Sequence, residues 1–91
     1  MPIVARHVLV AGRVQGVFFR AWTRDESRQP GVHGWVRNCD DGSVEAHVEG
    51  EEEAVEQLLI LMRDGPAHAK VEEFETRESE PEGLCDFEVR H

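Results

Sequence analysis

Apolar and polar positions alternate cleanly over residues 43–49. Val44, Ala46 and Val48 fall on one face of an extended chain, and Ser43, Glu45, His47 and Glu49 fall on the other. That spacing predicts a half-buried strand. Residues 3–13 are dense in valine and small apolar side chains and predict a strand largely covered on both faces. A glycine-bearing loop, Gln15-Gly16-Val17-Phe18-Phe19, follows. Residues 20–28 predict a helix with Phe19, Trp22 and Thr23 at helical spacing, stopped by Pro30-Gly31. Residues 32–38 predict a second strand, joined to the alternating one through Asp40-Asp41-Gly42, a hairpin signal. For Val36 to share a face with Val44, Ala46 and Val48, paired positions must have equal parity. This favours a three-residue loop with Gly42 left-handed. Gly50-Glu51-Glu52-Glu53 opens a second helix, its acids set against the positive end of the helix dipole. Ala54, Val55, Leu58, Leu59, Leu61 and Met62 form its apolar stripe, and Gly65-Pro66 ends it. Residues 70–77 predict a fourth strand with Val71, Phe74 and Thr76 inward. After an acidic loop over residues 79–83, Cys85, Phe87 and Val89 alternate with Asp86, Glu88 and Arg90 as a last strand.

The order is β-α-β-β-α-β with a short extra C-terminal strand. It predicts an α+β class: a ferredoxin-like βαββαβ sandwich, with two helices on one face of an antiparallel sheet and the other face partly wet. Enzymes, RNA binders and metal carriers all use this arrangement, so function has to come from particular residues.

Composition narrows the field. The 91 residues make a single domain, 1–91, with no room for a second core. The longest apolar run, Leu58-Leu59-Ile60-Leu61-Met62, is far too short for a membrane helix. The start, Met1-Pro2-Ile3-Val4-Ala5-Arg6, has no secretory-signal pattern. Nineteen Asp and Glu against ten Lys and Arg give a net charge of −9, which argues against nucleic acid and anionic lipid as partners. Lys70 is the only lysine, and the other basic residues are arginines, suited to bidentate phosphate or carboxylate contacts. An acidic, lysine-poor surface also fits a solvent of high salt, where self-repulsion is screened. Cys39 and Cys85 form no disulfide framework, although a single bridge between them stays open. His7, His33, His47, His68 and His91 are scattered without metal-ligand spacing, so no metal site is expected.

The unusual segment is Gly12-Arg13-Val14-Gln15-Gly16-Val17-Phe18-Phe19-Arg20, a strand running through a short loop into a helix. Successive backbone N–H groups in such a loop can converge on an anion, and the helix N-terminus adds partial positive charge. Arg20, at the start of the helix, is unfavourable toward that dipole unless an anion is near. Two readings stand: an ordinary turn with a solvated arginine, or a phosphate- or carboxylate-sized site. Asn38, at the end of the second strand, likewise reads as a turn former or as a carboxamide that orients a water.

These residues reach a family. Gly12-Arg13-Val14-Gln15-Gly16-Val17-Phe18-Phe19-Arg20, then Gly34-Trp35-Val36-Arg37-Asn38 with Asp41-Gly42-Ser43-Val44-Glu45 behind it, strongly resemble acylphosphatase, and the likeness runs through the Phe87-Glu88-Val89-Arg90 ending. The resemblance implies a small cytoplasmic monomer that hydrolyses the carboxyl-phosphate bond of small acyl phosphates, with no metal or cofactor. It implies that the amides of Gln15, Gly16, Val17, Phe18, Phe19 and Arg20 cradle the phosphate, that Arg20 holds its oxygens, and that Asn38 positions the attacking water. Trp22 and Phe19 are expected in the core, Trp35 in packing, and Phe18 either beneath the loop or at the mouth of the site. Arg13, Arg24 and Arg37 are expected as solvated or ion-paired surface residues. Two departures from the family pattern stand out. Cys39 follows Asn38 where a hydroxyl residue is frequent, and is expected to pack rather than attack. His91 stands where an aromatic is frequent, and a terminal carboxylate there could pair with Arg20. The alternative function is a non-catalytic anion-binding or interaction module on the same fold. A carbamoyl phosphate role, as in the related domain of hydrogenase-maturation carbamoyltransferases, would need further domains. An RNA-binding module would want a basic sheet face, where this chain shows Glu45, His47 and Glu49.

Overall fold

The computed structural model describes residues 2–90. In chain order it contains β1 (Ile3–Arg13), α1 (Phe19–Arg28), β2 (His33–Asn38), β3 (Val44–Glu51), α2 (Glu52–Asp64), β4 (Lys70–Ser79) and β5 (Phe87–Arg90). The strands form one five-stranded sheet in the order β4-β1-β3-β2-β5. The ferredoxin-like layering follows the sequence expectation, with one correction: the sheet is mixed. β5 runs parallel to β2, while the other pairs are antiparallel. The cause is topological. The chain leaves β4 at one edge and must cross the sheet to reach the other, so it enters β5 beside the start of β2, where Gly34 faces Phe87.

The helices bury their apolar stripes on one face. Val8 and Val10 of β1, Val36 of β2, and Val44, Ala46 and Val48 of β3 meet Phe19 of α1 and Val55, Leu58 and Met62 of α2 in one cluster. Fully burying a side chain such as Val, Leu, Phe or Met contributes about 1.5–3 kcal/mol, which makes this layer the main source of stability. Ile60, on the far side of α2, is 70% exposed.

The β2–β3 hairpin has the expected parity. Asn38 faces Val44 and Val36 faces Ala46. Cys39 N–H donates to the Ser43 carbonyl at 2.8 Å, leaving Asp40-Asp41-Gly42 as the loop, with Gly42 at φ 95°. In β4, Val71 and Phe74 pack against the core, while Thr76, expected inward, is exposed. The odd spacing of Val71 and Phe74 comes from a bulge. Ala11 faces Glu73 but Gly12 faces Val71, so Glu72 is the extra residue and the parity switches. Gly12 is needed there, because a Cβ would collide with the Lys70 carbonyl oxygen.

The face away from the helices is drier at one end than the alternation suggests. His47 and Glu49 are 2% and 4% exposed. The connection from β4 to β5 lies over them. The Glu49 carboxylate accepts the N–H groups of Glu82, Gly83 and Leu84 at 2.7, 3.0 and 3.0 Å, and sits 2.7 Å from His47 Nε2. Trp35 stacks on His47, and the Arg90 guanidinium lies 4.7 Å from the Trp35 ring centre.

Candidate active site

The chain between β1 and α1 turns sharply over residues 15–18. Gly16 has φ 74°, a conformation glycine adopts without steric cost. Phe18 has φ 62°, and is the one non-glycine residue with positive φ among those described. The N–H groups of residues 15–18 make no backbone hydrogen bond among the described residues. Helix α1 begins without a side-chain cap and without an acid in its first turn, whereas α2 has Glu52 and Glu53 there. The positive end of α1 is thus left for something outside the helix. Arg20 reaches from α1 to the opposite strand, and its Nη1 donates to the Arg90 carbonyl of β5 at 2.7 Å.

Asn38 closes the other side. Its carboxamide oxygen is buried and has no hydrogen-bond partner among the described residues. A buried acceptor left unpaired is costly, and native structures keep few of them. Gln15 ties the two loops together: its Nε2 donates to the carbonyls of Cys39 and Ser43 at 2.9 and 2.8 Å. Asp41 braces the hairpin from below, accepting both the hydroxyl and the N–H of Ser43 at 2.6 and 2.9 Å. The Ser43 hydroxyl, then its N–H, hold the Asp41 carboxyl below the usual carboxylate range.

Between these walls lies a cavity of about 470 Å³, lined by Val14, Gly16, Phe18, Phe19, Arg20, Ala21, Asn38 and Val89. Of the residues expected in the site, the structure brings Gly16, Phe18, Phe19, Arg20 and Asn38 to this cavity. It does not bring the side chains of Gln15 and Val17. Gln15 acts as the staple between loops, and Val17 packs toward the core. Phe19 is 1% exposed and forms the floor with Val14, with the ring of Trp22 5.7 Å away. Phe18 stands at the mouth, 84% exposed. Val14, Ala21 and Val89 were not singled out from the sequence, and only the cavity reveals them. Cys39 and Cys85 are both free thiols, so no bridge joins them. The pairing of His91 with Arg20 falls outside the described residues.

The other candidates are occupied elsewhere. Arg37 Nε donates to Glu45 Oε1 at 2.6 Å, and this bond raises the guanidinium above its ordinary value. Glu45 also lies 2.6 Å from His7 Nε2. The His7 contact, with Arg37 behind it, outweighs burial and lowers the Glu45 carboxyl. This group sits on the sheet face away from the helices, as does Trp35. Arg24 pairs with Asp25 at 3.5 Å. Among the described residues, no group of three or more His, Cys, Asp or Glu side chains is arranged to hold a metal ion. No described helix is long and apolar enough to cross a membrane.

The family model described as acylphosphatase matches residues 6–89. An acylphosphatase of Haloquadratum walsbyi is 51% identical over 92% of this chain and 90% of its own length. One of Thermococcus kodakarensis is 49% identical over 98% of both chains. Among solved structures, an acylphosphatase from Coxiella burnetii superposes with a TM-score of 0.92 at 36% identity, covering 97% of this chain and 93% of that one.

Proposed function

The chain belongs to the acylphosphatase family, and from that membership we propose how its residues hydrolyse the carboxyl-phosphate bond of small acyl phosphates to a carboxylate and inorganic phosphate. One observation carries the assignment. A single cavity gathers the uncapped start of α1, Arg20, and an Asn38 carboxamide oxygen that is buried without a partner among the described residues.

The amides of residues 15–20 and the fork of Arg20 donate to the phosphoryl oxygens, which carry the charge that develops in the transition state. The Asn38 oxygen accepts from a water and aims that water's lone pair at phosphorus. The new O–P bond forms as the bond to the bridging carboxyl oxygen breaks, and the electron pair leaves with the carboxylate. The water's proton passes to the phosphate and solvent. A carboxylate is the conjugate base of an acid with pKa of about 4, so its departure needs no general acid. Positioning and charge stabilisation therefore supply most of the catalysis. Among the described residues, no Ser, Thr or Cys lines the cavity, which favours direct attack by water over a covalent intermediate.

The reading includes a cytoplasmic monomer acting without metal or cofactor. Benzoyl phosphate hydrolysis in EDTA tests it, with sedimentation for the monomer. Turnover should persist in EDTA, and Arg20→Ala should lower kcat/KM by about 10²- to 10³-fold, the cost of removing one charged partner from a desolvated site. An Arg20→Ala enzyme that keeps wild-type kcat/KM would remove Arg20 from the mechanism.

A further inference from the structure

The rim of the cavity carries a side chain that phosphate binding, through the loop amides and Arg20, does not use. Phe18 is held at φ 62°, a conformation that is rare and costly for a bulky residue. The consequence is a phenyl ring 84% exposed to water, although the core lies next door and takes Phe19. A chain that only needed a loop could place glycine at this position, as it does at Gly16. The ring instead forms part of the lining of the cavity that holds Arg20 and Asn38, with half-buried Ala21 and Val89 in the same lining. At about 470 Å³, against a share of about 30 Å³ for a water in the liquid, the cavity has room well beyond a phosphoryl group.

We infer that Phe18 is a specificity-determining residue that contacts the acyl part of the substrate and favours apolar, above all aryl, acyl groups. The inference rests on the reading of this cavity as the acyl phosphate site. With the phosphoryl group held by the loop amides and Arg20, the acyl group points out through the mouth, where Phe18 is the large apolar side chain of the described lining that stands exposed. An aryl ring there gains offset or edge-to-face contact with the phenyl ring and covers it from water. A methyl group reaches too little of the ring to gain the same. The surface charge acts in the same direction, since a chain of net charge −9 disfavours acyl groups that bring further negative charge.

The test is the ratio of kcat/KM for benzoyl phosphate to that for acetyl phosphate in wild type, Phe18→Asn, Phe18→Gly and Phe18→Tyr. Asn and Gly both tolerate left-handed backbone, so they remove the ring without forcing the loop to move. The ratio cancels any effect on phosphate binding that both substrates share. One methylene in a closed apolar pocket discriminates about 10- to 200-fold, and an open rim belongs at the low end. The ratio should fall about tenfold in Phe18→Asn and Phe18→Gly and stay near wild type in Phe18→Tyr. An unchanged ratio in the first two, or an equal fall in Phe18→Tyr, overturns the inference. A folded wild type that turns over neither substrate overturns the reading of the site itself, and the inference with it.

Discussion

Asn38 and Arg20 illustrate how far single residues could be read. Each is ambiguous alone, since a strand-end asparagine is ordinarily a turn former and a helix-start arginine ordinarily solvated. Their two motifs in order carry the family resemblance, and the fold brings both side chains to one cavity. The work of Gln15 was not legible. Its side chain donates to two carbonyls of a hairpin more than twenty residues away, and no local pattern records that. Nor was the side of the loop on which Phe18 would emerge, because that is decided by its left-handed backbone. At this scale the pH profile is a check. Among the described residues, no Asp, Glu, His, Cys or Lys lines the cavity, so none of them sets a group titrating between pH 5 and 8 against the substrate. The kcat for benzoyl phosphate should stay flat across that range, and a bell-shaped profile would reveal a general acid or base that the lining does not contain.

The elements were legible where periodicity is local. The hairpin parity, the α2 stripe and the β3 alternation all follow from it. The β4 bulge and the parallel β5 were not, since both depend on which strand lies alongside. The same holds for Glu49, read as a solvent-facing position. A connection from another part of the chain covers it and donates three backbone N–H groups to it. Burial disfavours its charge, but the amides of Glu82 and Leu84 and the side chain of His47 outweigh burial and hold the carboxyl below its ordinary value. A carboxyl lowered in the folded state contributes stability above its unfolded pKa, about 4.3 for Glu, and loses it as pH falls through the folded value. Glu49→Gln should therefore cost about 2–3 kcal/mol at pH 7, in line with hydrogen bonds to a charged group. The difference from wild type should shrink as pH falls below about 4. Urea melts at pH 7 and pH 3 measure it, and a difference that does not change with pH would mean the charge of Glu49 is not what pins the connection.

For the whole molecule the governing quantity is charge. The chain carries a net charge of −9 on 91 residues, and part of the excess lies along β4 and the segment after it, where Glu72, Glu73, Glu75, Glu78, Glu80 and Glu82 are all exposed. On an edge strand such charges also discourage pairing with another chain. The exposed ion pairs, such as Arg28 with Asp25 at 3.7 Å, offset little, because surface pairs contribute about 0–1 kcal/mol each. Repulsion should dominate, and salt should relieve it, with the screening length falling from about 10 Å at 0.1 M to about 3 Å at 1 M. Relief of about 1 kcal/mol would raise Tm by about 4–8 °C in a domain of this size. A Tm that stays level or falls between 0.1 and 1 M KCl would show that the ion pairs matter more than the net charge.

The proposed mechanism divides the labour in one cavity: Arg20 and the loop amides hold the phosphoryl group, and Asn38 orients the water. It is tested most directly by kcat for benzoyl phosphate and Ki for inorganic phosphate, measured on wild type and Asn38→Ala in EDTA. The expected result is a loss in kcat of about 10²- to 10³-fold, as for other lost positioning or oxyanion contacts, with Ki close to wild type. Loss of kcat and phosphate binding in equal measure, or a kcat that survives the substitution, would contradict it.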